Sequence, residues 1–100
     1  MALSKKKKSG GNVFRDIGFS PEEAASLKIR ADLMIKLSEI IKQRKLTQAG
    51  AAKLLGVTQP RVSDLVRGKI DLFSIDTLID MICRAGGAVQ VTVRATKKAA

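Results

Sequence analysis

Ile29, Leu33, Leu37, Ile40 and Ile41 recur at the three- and four-residue intervals that line one face of an α-helix, with Arg30, Lys36 and Lys42 on the opposite face. The start of that helix is marked by Ser20-Pro21-Glu22-Glu23. Ser20 is a helix cap, Pro21 fills a position whose N–H has no partner in any case, and Glu23 completes a capping box. The pattern predicts a helix from about Pro21 to about Arg44, with a break possible near Ser26–Lys28. Ahead of it, residues 12–19 alternate apolar and polar side chains loosely and form an ordered lead-in of undefined type.

Two short helices joined by a tight turn are predicted across residues 46–69, LTQAGAAKLLGVTQPRVSDLVRGK. Thr47 caps the first and Thr58 the second. Ala52 lies where the two axes approach and leaves room for close packing. Gly56 supplies the positive φ that the turn requires. Leu54, Leu55 and Val57 join the core, and Val62, Leu65 and Val66 form the buried face of the second helix. Val57 and Val62 are spaced as a hydrophobic staple across its start, and Pro60 lies harmlessly in its first turn.

A last helix begins after Ser74, with Asp76 in its first turn, a Phe73–Leu78 staple across the cap and Gly86-Gly87 at its end. Ile75, Leu78, Ile79 and Ile82 are its apolar stripe. The period then changes to two: Val89, Val91 and Val93 alternate with Gln90, Thr92 and Arg94. This predicts a half-buried strand over residues 88–94. One strand cannot satisfy its own hydrogen-bonding groups, so it needs the lead-in, a second copy of the chain or another protein beside it. The antiparallel pair across a two-fold axis is the expected arrangement, with Val89, Val91 and Val93 as the dimer strand.

Composition supports a mostly α fold. Of the 100 residues 45% are hydrophobic and only 3% aromatic, so the core is aliphatic. One domain is expected over residues 12–94, with its helix-turn-helix at 47–67, between a basic disordered arm (1–11) and a disordered tail (95–100). The absence of His and the single cysteine, Cys83, exclude an internal disulfide and a Cys–His metal site. Cys83 itself is expected to be a buried small hydrophobe. No apolar run approaches the roughly 20 residues that span a bilayer, and no apolar segment follows the N-terminal lysines as in a signal peptide. A cytoplasmic protein without cofactor, metal or membrane partner is expected, associated with the nucleoid when on DNA.

Charge narrows the function. The net charge is +10, which favours a polyanionic partner. The excess is concentrated in Lys5, Lys6, Lys7 and Lys8 and in the middle of the chain, whereas Asp71, Asp76 and Asp80 make the segment around the last helix acidic. Removing the apolar positions of the second short helix leaves Gln59, Arg61, Ser63, Asp64 and Arg67 facing outward. An α-helix fits the major groove, where Gln pairs with adenine and Arg with guanine. Gln48, which begins the preceding helix, can reach a phosphate or brace Gln59.

Gln48, Ala52, Gly56, Val62 and Leu65, with Gly68 after the helix, resemble the helix-turn-helix of the Cro/lambda-repressor (XRE) class. The resemblance implies a lambda-repressor-like helical bundle in which Ala52, Gly56, Val62 and Leu65 are structural. It implies phosphate contacts from Gln48 and Arg67, and base contacts from Gln59, Arg61 and Asp64; Thr58 and Lys69 are expected at phosphates beside them, and Ser63 at base edges. Asp64 is unusual at such a position because it repels phosphate; it can accept from a cytosine amino group or pair with Arg61 or Arg67. With the lead-in and the valine-alternating end included, residues 12–94 also look like the HigA-type antitoxin branch. That branch implies a homodimer on a palindromic double-stranded operator and a RelE/HigB-like ribonuclease toxin as partner.

An enzyme is not expected. The carboxylates are scattered, Ser63 lacks a base, Cys83 lacks an activating neighbour, and the glycine pairs do not form a phosphate loop. The expected function is a transcriptional regulator that also neutralises a toxin, and the alternative is a stand-alone XRE-family repressor. A basic toxin demands a local acidic surface, either the segment bearing Asp71, Asp76 and Asp80 or the helix start at Glu22 and Glu23.

Overall fold

The computed structural model describes residues 13–95, and every described element is helical. The expected basic arm and most of the expected tail lie outside the described residues. The lead-in is a single helical turn, α1 (Val13–Asp16), which packs on the long α2 (Pro21–Gln43). Then come α3 (Gln48–Leu55), α4 (Gln59–Val66), a 3-10 turn (Ile70–Leu72) and α5 (Ile75–Arg84).

α2 runs unbroken through Ser26–Lys28. Its start is the expected capping box: the Glu23 N–H donates to Ser20 Oγ (3.2 Å), and the Ser20 N–H donates to Glu23 Oε1 (3.3 Å). Its buried face is Ala24, Leu27, Met34, Leu37 and Ile41, with Leu33 and Ile40 packed at the margin. Ile29 lies off that stripe and is exposed, because on a 3.6-residue period it points well away from Leu27 and Met34. Arg30, expected on the polar face, instead donates to the carbonyl of Ile70 (3.3 Å).

α2 ends with Lys45 at φ 54, the sole non-glycine residue with positive φ among those described. The Leu46 N–H donates to Ile41 O and the Lys45 N–H to Lys42 O, a Schellman termination that ordinarily uses glycine. Lys45→Gly removes the Cβ clash of the left-handed conformation. It is expected to raise stability by about 0.5–1 kcal/mol, net of the extra entropy of the unfolded chain, as checked by urea unfolding.

The core is one cluster with α2 packed against α5 and α4, and α3 against α4 and α5. Leu37, Leu55, Val62, Leu65, Phe73, Leu78 and Met81 are its most deeply buried large side chains. The Phe73–Leu78 staple across the α5 cap holds, and Ser74 Oγ accepts from the Thr77 N–H (3.1 Å). At the other end of α5 the Gly87 N–H donates to Ile82 O and the Gly86 N–H to Cys83 O, with Gly86 at φ +90, again a Schellman motif.

No β-strand is present among the described residues, so the dimer strand over residues 88–94 does not form. Val89 is half-buried against the core, while Val91 and Val93 stand 75% and 88% exposed with no neighbouring strand. Their alternation reports the side to which each residue points; a ladder also needs a partner, and the described residues supply none. Cys83 is exposed on α5 instead of buried. Val66 is exposed as well, since it lies on the flank of α4 beyond Val62.

Candidate nucleic-acid interface

α3 and α4 pack against each other through Ala51, Ala52, Leu55, Val62 and Leu65, all buried. The turn between them is set by Gly56 at φ 71, with the Val57 N–H returning to Ala52 O (3.0 Å). A Cβ on Gly56 would lie 2.9 Å from an Arg84 nitrogen, so α5 closes over the turn. Glycine is required here by backbone conformation, and a Cβ would also displace the flexible end of Arg84.

The two caps differ. Thr47 Oγ1 accepts from the Gly50 N–H (3.0 Å) and fixes the start of α3. Thr58 has the extended backbone of a cap, but its hydroxyl makes no capping bond and is exposed. The start of α4 therefore relies on Pro60 and on burial of Val62. The end of α4 is closed by Gly68 at φ 75, with the Lys69 N–H donating to Asp64 O (3.0 Å).

About a buried edge formed by Val62 and Leu65, a turn of roughly 100° per residue places Pro60, Ser63, Asp64 and Arg67 on the outer side of α4 and Gln59 at its margin, about 90° from that edge. Gln59 and Arg67 are exposed; Ser63 and Asp64 are half-exposed. Gln48 at the start of α3 and Lys69 after α4 are exposed too. Asp64 forms no ion pair with Arg61 or Arg67; the ion pairs among the described residues are Lys28–Asp32, Lys36–Glu39 and Asp80–Arg84.

Arg61 stands apart from this group. Its guanidinium carbon lies 4.2 Å from the centre of the Phe73 ring, and its Nη1 donates to Leu72 O (3.0 Å). The apolar pattern of α4 puts Arg61 among the outward residues and gives no sign of this contact, because its partners are 11 and 12 positions away. Phe73 is one of only three aromatic residues in the chain, and that scarcity was the available hint.

No group of His, Cys, Asp and Glu among the described residues is arranged to hold a metal ion, and no described helix is long and apolar enough to cross a membrane.

A helix pair joined at Gly56, packed on a third helix and presenting a polar outer face on its second member, is the architecture of a helix-turn-helix DNA-binding domain. A family model described as a helix-turn-helix domain matches residues 13–94, and the chain belongs to that family. A solved structure described as a transcriptional regulator of the XRE family is similar to it, with a TM-score of 0.70 and 28% sequence identity over 78% of this chain and 88% of that one. Among curated proteins there is no match.

Proposed function

We propose that the protein is a sequence-specific transcriptional regulator that binds duplex DNA with the outer face of α4 in the major groove. The observation that carries this is the two-sidedness of α4. Val62 and Leu65 are fully buried, while Ser63, Asp64 and Arg67 face away from them and Gln59 is exposed at the margin of that outer face, on a chain of net charge +10. Gln59 pairs with adenine, Ser63 and Asp64 meet further base edges, and Asp64 accepts from a cytosine amino group. Gln48, Arg67, Lys69 and the uncommitted Thr58 hydroxyl meet phosphates. The similarity to an XRE-family regulator supports the same reading.

An eight-residue helix is about 12 Å long and reaches only a few base pairs. Useful selectivity therefore calls for two copies on a palindromic operator, with the two α4 helices about 34 Å apart in successive major grooves. Light scattering of the free chain and of its DNA complex reads this directly: two chains per duplex are expected.

Selection of bound duplexes from a random pool tests the function. Gln59→Ala is expected to weaken binding by about 1–3 kcal/mol and to relax base preference at one position of each half-site. Arg67→Ala is expected to weaken binding to all sequences and to reduce the salt slope by about one unit. Unchanged affinity and base preference in Gln59→Ala would remove α4 from the interface.

A second role, neutralising a basic ribonuclease of the RelE/HigB kind, is favoured by one feature. Glu22 and Glu23 from the start of α2 and Asp71 from the 3-10 turn, three carboxylates against the one guanidinium of Arg30, converge on a groove of about 380 Å³ with Phe19 and Leu27 in its wall. The two acidic segments singled out in the sequence thus meet, in part, at one place. Glu22→Lys with Asp71→Lys is expected to abolish neutralisation of a toxin encoded beside this chain while leaving operator binding intact; retained neutralisation in that variant counts against the groove.

A further inference from the structure

We propose that Arg61 is a positioning residue that fixes the angle at which α4 is presented to DNA, and that it contacts no base. This rests on the reading of α4 as the DNA-binding helix and reassigns one residue on it.

Three observations converge. On α4, Arg61 lies about 40° from buried Leu65 and more than about 90° from the middle of the outer face, so it belongs to the flank turned toward the α4–α5 connection. Its guanidinium is already occupied on two sides, stacked 4.2 Å from the Phe73 ring centre and donating to Leu72 O at 3.0 Å. And the segment that it grips is held by a second arginine: Arg30 of α2 donates to Ile70 O at 3.3 Å.

Arg61 and Arg30 therefore take the carbonyls at the two ends of one 3-10 turn, from α4 and from α2 respectively. The turn leads into Phe73, which is 1% exposed and anchors α5. Such a clamp ties the recognition helix to the long central helix through a segment that has only three residues of regular structure. A planar guanidinium suits this task because it stacks through its face while donating from its edge. Swinging Arg61 onto a guanine would forfeit both contacts.

The clamp is read first without DNA. Hydrogen exchange of the free full-length chain should show faster exchange of the amides of residues 61–73 in Arg61→Ala, at a temperature where circular dichroism reports a folded protein. Arg30→Ala should accelerate the same segment. Unaltered exchange in both variants overturns the clamp whatever the protein does on DNA.

The second reading uses duplexes enriched from a random pool, with Arg61→Lys as the milder variant should the alanine form not fold. Arg61→Ala is expected to lower the ratio of specific to non-specific affinity about tenfold, with preference weakened evenly over the half-site and the salt slope unchanged. Arg61→Lys should recover part of that ratio. Loss of preference at a single position makes Arg61 a base reader and overturns the proposal. A slope reduced by one unit with selectivity retained makes it a phosphate contact and does the same. So does a lowered melting temperature with unchanged selectivity of the folded protein.

Discussion

Phe73→Ala is expected to lower the unfolding free energy by about 3–5 kcal/mol, the range for removing a buried aromatic ring from a core. The ring is 1% exposed, staples the α5 cap against Leu78 and carries the Arg61 guanidinium on its face. Its loss leaves a cavity in the core and strips Arg61 of its stacking partner. Domains of this size are stable by only about 5–15 kcal/mol, so the variant is expected to approach the edge of folding. Urea unfolding with the m-value held constant measures this, and the melting temperature should drop by more than about 12 °C. Phe73→Leu separates the two contributions, because it keeps most of the volume and removes only the ring face; a loss of under about 1.5 kcal/mol is expected there. A Phe73→Ala midpoint within experimental error of the parent would remove Phe73 from its place as the pivot between α4 and α5.

Much of this architecture was legible in residue patterns because its signals are local. The Ser20–Glu23 capping box, Gly56 in the turn and the Phe73–Leu78 staple each lie within a few positions of the feature they create, and each is found where the chain puts it. The outer face of α4 was legible for the same reason, since a 3.6-residue period fixes which side opposes Val62 and Leu65. What failed was non-local. The valine alternation over residues 88–94 has the period of a strand, but pairing depends on a second segment, and none is present among the described residues. Cys83 and Val66 were misplaced because apolar character says little about burial at the edge of a stripe. For Arg61 the pattern gives an outward position and no sign of its partners. Only the folded chain brings Leu72 and Phe73 beside it.

Leu65→Ala is expected to cost about 2–5 kcal/mol of stability, since its side chain is 1% exposed where α4 meets the core. Two positions back, Ser63→Ala lies on the opposite side of the helix and should change stability by less than about 0.5 kcal/mol. The pair divides α4 by function as well as by energy. At a temperature where both variants are mostly folded, Leu65→Ala is expected to bind enriched duplexes with the parent's base preferences, because every side chain proposed to meet the groove is still present. Ser63→Ala is expected to keep the parent's unfolding curve and lose preference at one position. Two measurements on each variant, urea unfolding and competition binding with duplexes that differ at single positions, give four readings. If Ser63→Ala proved the destabilised member and Leu65→Ala the one with altered base preference, the inward and outward sides of α4 would have been exchanged. The assignment of this helix to the major groove, which depends on those sides, would fall with them.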